Sequence, residues 1–555
     1  DQAIESLTKK SVIVYRKFLD AYRLWEGSDL DLDALLIEAG KHVADTTPLS
    51  ELLADSLSLR PQVARRHSHL TGTLRFFDVC YTTLTGLSRE VASPLDDSDG
   101  RIVYLLLEES DYTGAIEEAI LALPPDQLSR TVIVPLRVPR LVKAAALELK
   151  RLMWVRHETP ELASDEVARR ELDSRIFETR QLLQRELGAV LHPRVGHLAV
   201  WRKGREEKVH GWHALNRLLS DICDEVYHEA PIIHNELINR RHPSSNAVAA
   251  RRELLERMIV AQHEQQLGIS GYPPHLSMYL SVLRETGLHR QLPDGTWAFC
   301  EPDSDSTMAS VWKAMKRFLE GTRTRRMSLK TLWDTLCSPP YGLTNGVIPI
   351  LLCALLLEQQ LDVALYEDGS FVPELEVAVM ERLSKNPERF EVRYCPIDGL
   401  RGQVFYHLRR AGLTNSVGQH LLAVVKPLVQ FAARLPEYSK NTKSISASAQ
   451  AVRYHLLTAR EPEVLLFESL PQALGFPTFM RSEGISAHLA EQYALALRQA
   501  VQEIGRAYSN LLDYISLTIS DAFLVSGFPA EYRPVLQERA NRIPSNLPDL
   551  RLKGL

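Results

Sequence analysis

The sequence lacks the short motifs that mark the commonest nucleotide-dependent and hydrolytic enzymes. It contains no G-x-x-x-x-G-K-[ST] stretch, so it has no loop whose backbone amides and lysine could hold the phosphates of ATP. It contains no G-x-S-x-G elbow, which would place a serine nucleophile at a sharp strand-to-helix turn. No motif in the chain therefore points to a reaction.

Cysteine is scarce, and its spacing excludes the usual zinc and disulfide frameworks. No C-x-x-C pair occurs among the 6 cysteines of the 555 residues. Widely separated cysteines favour reduced, mostly buried thiols in a cytoplasmic protein. The cysteines are Cys80, Cys223, Cys300, Cys337, Cys353 and Cys395.

Long hydrophobic runs are also lacking. The longest, Val347–Leu357, is too short to span a bilayer, and no stretch has the composition of a signal peptide. The chain begins with Asp1 rather than Met, within an expected helix, and we expect it to be a fragment or a processed chain. A catalytic module could then lie outside it.

The composition is that of an ordinary globular protein of several domains. The chain is 45% hydrophobic and 24% charged, with a net charge of −5, which argues against a wholly basic nucleic-acid-binding protein. Apolar periodicity predicts a mainly α, multidomain fold. The predicted domains are 1–95 (helical, with one strand), 96–230 (an α/β insert and long helices), 231–400 (helical, with a winged-helix-like unit) and 401–555 (helical).

Two stretches near residues 100–140 predict a small parallel α/β insert. Ile102–Leu107 and Thr131–Leu136 are apolar runs typical of strands buried on both faces, and a helix is expected between them. Glu108 and Glu109 follow the first run as a magnesium-binding pair does in P-loop ATPases. Without a phosphate loop, a plain buried strand is the better interpretation.

Nearer the N-terminus, an apolar periodicity through Val12, Tyr15 and Tyr22 predicts a helix, with Ser6 or Thr8 as its cap.

The stretch 327–373 has the outline of a winged helix: a helix, a tight turn, a second helix and a hairpin. The second helix, Gly346–Leu357, carries no side chain able to read base edges. We therefore expect it to be buried as core rather than inserted into a DNA groove.

A run of basic residues around the start of this unit is the one positive functional signal. Such a run can neutralise DNA phosphates without reading sequence. Alternatively, its members form a solvated face or pair with Asp303, Asp305 and Glu320. The predicted nucleic-acid-binding residues are Lys313, Lys316, Arg317, Arg323, Arg325, Arg326 and Lys330.

Alternating carboxylates at Asp29, Asp31 and Asp33 allow a metal-dependent enzyme as the main alternative. They could serve a divergent nucleotidyltransferase or nuclease, but the spacing fits neither a calcium loop nor a separated nucleotidyltransferase motif. Capping of a helix start is the simpler interpretation, so no metal is expected.

Several phrases of the sequence resemble a known family over most of residues 10–480. The family is that of large bacterial P-loop ATPases from anti-phage defence islands, such as the BREX-type ATPases. The phrases resemble the region that follows the nucleotide-binding module of these proteins. The phrases are Val14–Arg16 with Tyr22–Asp29, Asp165–Leu172, Asn235–Asn239 and Pro339–Leu343.

This resemblance implies an ATPase polypeptide whose nucleotide-binding module is missing here, with other subunits of a defence system and DNA as partners. Because this chain has no phosphate-binding loop, we expect it to be a non-catalytic helical platform. ATP and magnesium would belong to a missing N-terminal module, and no cofactor is expected in this chain. A purely protein-binding scaffold is a further alternative.

Overall fold

The fold is mainly helical, as the sequence predicts, and it has two compact units. Unit 1 comprises residues 1–243 and 337–346, and unit 2 comprises residues 244–336 and 347–555. Within the described ranges, no helix is both long and apolar enough to cross a membrane. The computed structural model describes residues 2–10, 12–16, 21–24, 30–56, 60–107, 112–191, 198–395, 402–413, 421–479, 487–525 and 529–542.

Unit 1 combines helices and strands. Its helices are α1 (Gln2–Lys9), α2 (Leu32–His42), α3 (Leu49–Ser56), α4 (Arg65–Thr71), α5 (Leu87–Ala92), α6 (Thr113–Leu121), α7 (Pro125–Leu128), α8 (Arg140–Glu158), α9 (Glu166–Leu191) and α10 (Gly211–Val226). Its strands are β1 (Ile13–Arg16), β2 (Ala21–Leu24), β3 (Gln62–Val63), β4 (Phe76–Thr82), β5 (Gly100–Leu107), β6 (Thr131–Arg137), β7 (Leu198–Arg202) and β8 (Arg205–Val209).

Six of these strands form one mixed sheet in the order β3-β4-β5-β6-β7-β8. β4, β5 and β6 are parallel, which confirms the predicted parallel insert, and the other pairs are antiparallel. The sheet runs from Gln62 to Val209 and is larger than the predicted insert. Its outer strands lie far from residues 100–140 in sequence, and local periodicity does not show which strands pair.

The two faces of the sheet are covered by different helices. Val103 and Leu105 of β5 pack in one core with residues of α5, α6 and α7. Leu106 packs in another core with residues of α2, α3, α8 and α9. Because successive side chains of a strand point to opposite faces, α6 and α8 lie on opposite sides of the sheet.

The helix predicted through Val12, Tyr15 and Tyr22 is wrong. Helix α1 ends at Lys9, and β1 and β2 form an antiparallel hairpin in which Tyr15 lies opposite Tyr22. Their ring centroids are 5.0 Å apart. Cross-strand aromatic pairs stabilise hairpins, and this contact outweighs the helical spacing of the same residues.

Unit 2 is helical with short strands. Its helices are α11 (Ser245–Val260), α12 (Pro274–Met278), α13 (Ala309–Gly321), α14 (Leu329–Cys337), α15 (Ile348–Glu358), α16 (Val377–Lys385), α17 (Gly402–Arg410), α18 (Leu421–Ala433), α19 (Glu437–Asn441), α20 (Ala447–Leu457), α21 (Pro462–Val464), α22 (Leu470–Ala473), α23 (Ala487–Ala522) and α24 (Pro529–Asn541). Its strands are β9 (His289–Gln291), β10 (Trp297–Phe299), β11 (Met327–Ser328), β12 (Val363–Glu367), β13 (Ser370–Val372) and β14 (Phe390–Tyr394).

The predicted burial of Gly346–Leu357 is confirmed. Every residue of this stretch is buried, and none of its large side chains is more than 7% exposed. The helix α14, the helix α15 and the hairpin β12–β13 lie at the predicted positions. The connection between the two helices is longer than the tight turn that was predicted, and residues 338–346 of it belong to unit 1.

Candidate nucleic-acid interface

Helix α13 carries the first three residues of the predicted basic run. The helix is amphipathic, so its apolar side packs into unit 2 and its other side meets solvent. Lys313 and Arg317 are exposed and lie one turn apart on the solvent side. The buried residues of the helix are Val311, Trp312, Met315 and Leu319.

Two lysines of the run are held in ion pairs. The ammonium group of Lys316 lies 2.7 and 2.8 Å from the two carboxylate oxygens of Glu358, and both side chains are largely buried. Lys330 pairs with Asp334 one turn further along α14. The Glu358 pair fixes Lys316 as a structural residue.

Arg326 is the most constrained of the cations. Its guanidinium lies 3.6 Å from the centroid of the Tyr366 ring and pairs with Glu461. It also donates hydrogen bonds to the carbonyl oxygens of Gly369, at 3.0 Å, and Arg460, at 3.1 Å. The Tyr366 hydroxyl donates to Glu461 at 3.0 Å, and burial raises the pKa of this tyrosine, so it keeps its proton. Arg326 therefore joins the hairpin β12–β13 to the segment before α21.

The remaining cations of the run are exposed. Arg323 lies over the ring of Tyr394, with its guanidinium carbon 5.3 Å from the centroid. Lys313, Arg317 and Arg325 are exposed, and none has an ion pair within the part of the chain that the structure describes. We call these three residues the cationic surface.

Two of the acidic residues that pair with the run, Glu358 and Glu461, are distant in sequence, whereas Asp334 lies four residues from Lys330. Lys316, Lys330 and Arg326 form ion pairs with Glu358, Asp334 and Glu461. The predicted partners of the run were Asp303, Asp305 and Glu320. Asp303 pairs instead with Arg290. Sequence proximity therefore identified the basic run but not the partners of Lys316 and Arg326.

The cationic surface can neutralise phosphates, but it offers no base-reading element. Arginine and lysine bind phosphate oxygens strongly and without regard to sequence. The helix that would read bases in a winged helix, α15, is buried throughout.

The carboxylates of the metal-dependent alternative already have partners where the structure describes them. Asp31 caps α2 by accepting hydrogen bonds from the backbone amides of Asp33 and Ala34, at 3.0 and 3.1 Å. Asp33 lies 2.8 Å from Arg175. Asp29, Glu108 and Glu109 fall outside the described residues. Among those described, no three His, Cys, Asp or Glu side chains are grouped as a metal site would require.

A buried charge network in unit 1 was not found from the sequence. Asp99 accepts hydrogen bonds from Arg75, at 3.0 Å, and from Arg241, and its side chain is fully buried. Arg75 is only 2% exposed and lies 3.8 Å from the centroid of the Tyr227 ring. The only sequence signal was the presence of Arg75 beside an apolar strand.

Two of the phrases that carry the resemblance form hydrogen bonds within unit 1. Arg75 donates a 2.6 Å hydrogen bond to the carbonyl oxygen of Gly342, in the phrase Pro339–Leu343. The hydroxyl of Thr344, just after that phrase, donates to Asn239, the last residue of the phrase Asn235–Asn239. These phrases therefore have a structural role in unit 1.

Comparison with known proteins found no relative of this chain. No family model matches the chain, and neither a curated protein nor a solved structure matches it.

Proposed function

We propose that the chain is a non-catalytic helical platform of a bacterial anti-phage defence ATPase. In this proposal residues 327–373 form a winged-helix-like unit, and the chain binds partner subunits and holds the DNA backbone without sequence specificity. The exposure of Lys313, Arg317 and Arg325 beside cations already used in ion pairs is the observation that carries it. ATP and magnesium would act in a module outside this chain.

The electrostatics support a local contact rather than a general attraction to nucleic acid. The chain as a whole has a net charge of −5, so long-range attraction to DNA is weak. Each cation that meets a phosphate releases a counterion, and affinity then falls with rising salt. Binding should therefore be modest and steeply dependent on salt.

The test is a salt titration of binding to duplexes of unrelated sequence, followed by fluorescence anisotropy. Replacing Lys313, Arg317 and Arg325 together by Gln should lower the slope of log affinity against log salt by about 3, or about 0.9 for each lost contact. A matched control replaces Arg410, Arg498 and Arg506, three exposed arginines of α17 and α23, by Gln. The control changes the net charge equally and should leave the slope almost unchanged.

Equal slopes for the two triple variants would reject the cationic surface as the DNA contact. A preference of more than about tenfold for one duplex sequence would reject backbone-only binding, because phosphate contacts carry no sequence information.

A protein-binding scaffold is the second candidate, and helix α23 favours it. Leu512, Ile515 and Leu517 near the end of this helix are 43–64% exposed, and such apolar surface is typical of a protein-binding site. If the chain is only a protein-binding scaffold, neither the wild type nor either triple variant should bind DNA. It also predicts that Leu512→Ser with Leu517→Ser abolishes co-purification of the partner subunits.

The metal-dependent nucleotidyltransferase or nuclease remains the enzymatic alternative. It requires a divalent ion at Asp29, Asp31 and Asp33, and the contacts of Asp31 with backbone amides and of Asp33 with Arg175 favour a structural role instead.

A further inference from the structure

A cavity in unit 2 is bordered by α15, by the hairpin β12–β13 and by α18. Its volume is about 250 Å³. Pockets for drug-sized ligands hold roughly 300–1,000 Å³, so this cavity suits a smaller organic molecule. The side chains that α15 and the two strands contribute to its wall are all apolar: Leu356, Leu357, Val363, Leu365 and Val372.

Lys426 of α18 brings an amine to this apolar wall. Glu374 is the other ionisable side chain among the described lining residues, and it pairs with Arg434 at 2.7 Å. Within the part of the chain that the structure describes, the ammonium group of Lys426 donates to the carbonyl oxygen of Gln360 and has no ion pair. Its polar environment is therefore one neutral acceptor.

The apolar surroundings favour the neutral amine. Burial lowers the pKa of Lys426 to about 8, because desolvation disfavours the charged form. Near pH 8 about half of the molecules then carry an unprotonated amine, whereas an ordinary lysine is almost fully protonated there. A lysine desolvated in an apolar pocket is a nucleophile towards carbonyl compounds.

We propose that this cavity binds small apolar aldehydes covalently, with Lys426 as the reacting amine. The lone pair of Nζ attacks the carbonyl carbon, so an N–C bond forms and the π electrons of the C=O bond move onto oxygen. The oxygen then leaves as water with the two hydrogens of the neutral amine, and an imine remains. The reaction is reversible and needs neither an oxidant nor a reductant.

The other lining residues suit an aldehyde. The apolar wall contacts the alkyl chain, and the side-chain amides of Gln262 and Gln430 border the same cavity. Gln430 donates one N–H to the carbonyl oxygen of Pro373, at 3.4 Å, and keeps a second N–H. An amide N–H stabilises the negative charge that develops on the aldehyde oxygen during attack. The site uses no residue of the cationic surface.

The test is reductive trapping of the full chain with butanal and sodium cyanoborohydride at about pH 7.5. The reductant converts the imine into a stable secondary amine, which peptide mass spectrometry locates. Lys426 should be labelled about tenfold or more faster than Lys385 and Lys443, two exposed lysines that serve as controls within the same sample. Equal rates at the three lysines would overturn the proposal.

A larger aldehyde tests the cavity without any substitution. With 1-pyrenecarboxaldehyde, whose four fused rings exceed the available space, the preference for Lys426 over Lys443 should disappear. Comparing the two lysines in one sample cancels the difference in reactivity between the aldehydes. An undiminished preference would mean that the cavity does not select the ligand, and the proposal would be wrong.

The variant Val372→Phe narrows the cavity and retains the amine. It should lower the labelling of Lys426 by butanal to the rate of Lys443. The matched control is Val535→Phe, the same change at a 42% exposed valine outside the cavity, and it should leave the labelling unchanged. Wild-type labelling of Lys426 in a folded Val372→Phe variant would contradict binding in the cavity. The comparison of the two aldehydes decides the question if this variant does not fold.

Discussion

Asp99 is the residue that balances the buried charge of Arg75 in unit 1. Its carboxylate faces two guanidiniums, those of Arg75 and Arg241, and also accepts a hydrogen bond from the backbone amide of Phe76 at 3.1 Å. Removing one member of a buried ion pair leaves the other without compensation, and this costs far more than an exposed pair contributes.

Asp99→Asn should lower the free energy of unfolding by about 3–5 kcal/mol, because Arg75 would stay buried without a counter-ion. Asp97→Asn is the matched control, since the Asp97 side chain is 64% exposed and pairs with His242 at 3.3 Å. Its effect should stay within about 1 kcal/mol. Urea denaturation measures both, and equal losses would mean that Asp99 does not balance a buried charge.

Lys426 provides a pH-dependent prediction. Burial lowers its pKa from 10.5 to about 8, and its ammonium group donates to the carbonyl oxygen of Gln360. Between pH 8 and pH 10.5 the unfolded chain therefore holds more protons at this site than the folded chain does. The contribution of Lys426 to stability must rise with pH across this window.

The Lys426→Met variant should therefore exceed the wild type in unfolding free energy most strongly below pH 8, and this difference should shrink as the pH rises. The difference in unfolding free energy should shift by about 1–2 kcal/mol between about pH 7 and about pH 9.5. Chemical denaturation at the two values measures it. A difference that stays constant with pH would show that Lys426 titrates normally.

At the scale of elements, the local sequence was sufficient to predict burial where a segment is apolar on every side. The run Gly346–Leu357 is apolar on every side, so a helix formed from it has to be buried whatever surrounds it. β5 is similar, because an unbroken apolar strand needs cover on both faces. The hairpin β1–β2 was mispredicted because its aromatic residues fit both a helical face and a cross-strand pair.

Glycine positions test the packing of two elements. A Cβ at Gly346, before α15, would lie 1.8 Å from the carbonyl oxygen of Ile238, so Gly346→Ala should destabilise the protein by about 2 kcal/mol or more. A Cβ at Gly188, within α9, meets nothing within 4 Å, and Gly188→Ala should stabilise the protein by about 0.5–1 kcal/mol.

Thermal denaturation of the two glycine variants gives the comparison directly. A neutral Gly346→Ala substitution would mean that the segment around Ile238 shifts easily to accept a methyl group.

At the scale of the whole molecule, unit 1 is built from two separate stretches of chain. Residues 337–346 return to it after the chain has entered unit 2. This short stretch supplies the carbonyl oxygens of Gly342, to Arg75, and of Pro340, to the backbone amide of Glu229. It also supplies the Thr344 hydroxyl to Asn239.

Residues 1–243 expressed alone should therefore be less stable than unit 1 in the full chain, because Arg75 loses its carbonyl partner. Joining residues 337–346 to this fragment through a flexible linker should restore stability. Denaturant midpoints of the two fragments give the measurement. Equal midpoints would show that the returning stretch contributes little to the stability of unit 1.

The candidate site also combines features that the local sequence shows with contacts that only the fold creates. The basic run from Lys313 to Lys330 was visible in the sequence because its members are neighbours. That Lys316 and Arg326 are held by Glu358 and Glu461 could not be foreseen, because these acids come from elements 42 and 135 positions away. The separation of structural cations from exposed ones was therefore decided by packing.

By itself the sequence determined the mainly helical class, the parallel strands near residues 100–140 and the burial of α15. Each of these follows from the spacing of apolar residues within one segment, which needs no distant partner. Only the tertiary structure decided the edges of the sheet, the network around Asp99 and the members of the cationic surface. These depend on contacts between segments far apart in the chain, and free energy gained by burial and charge pairing selects such contacts only when the whole fold forms.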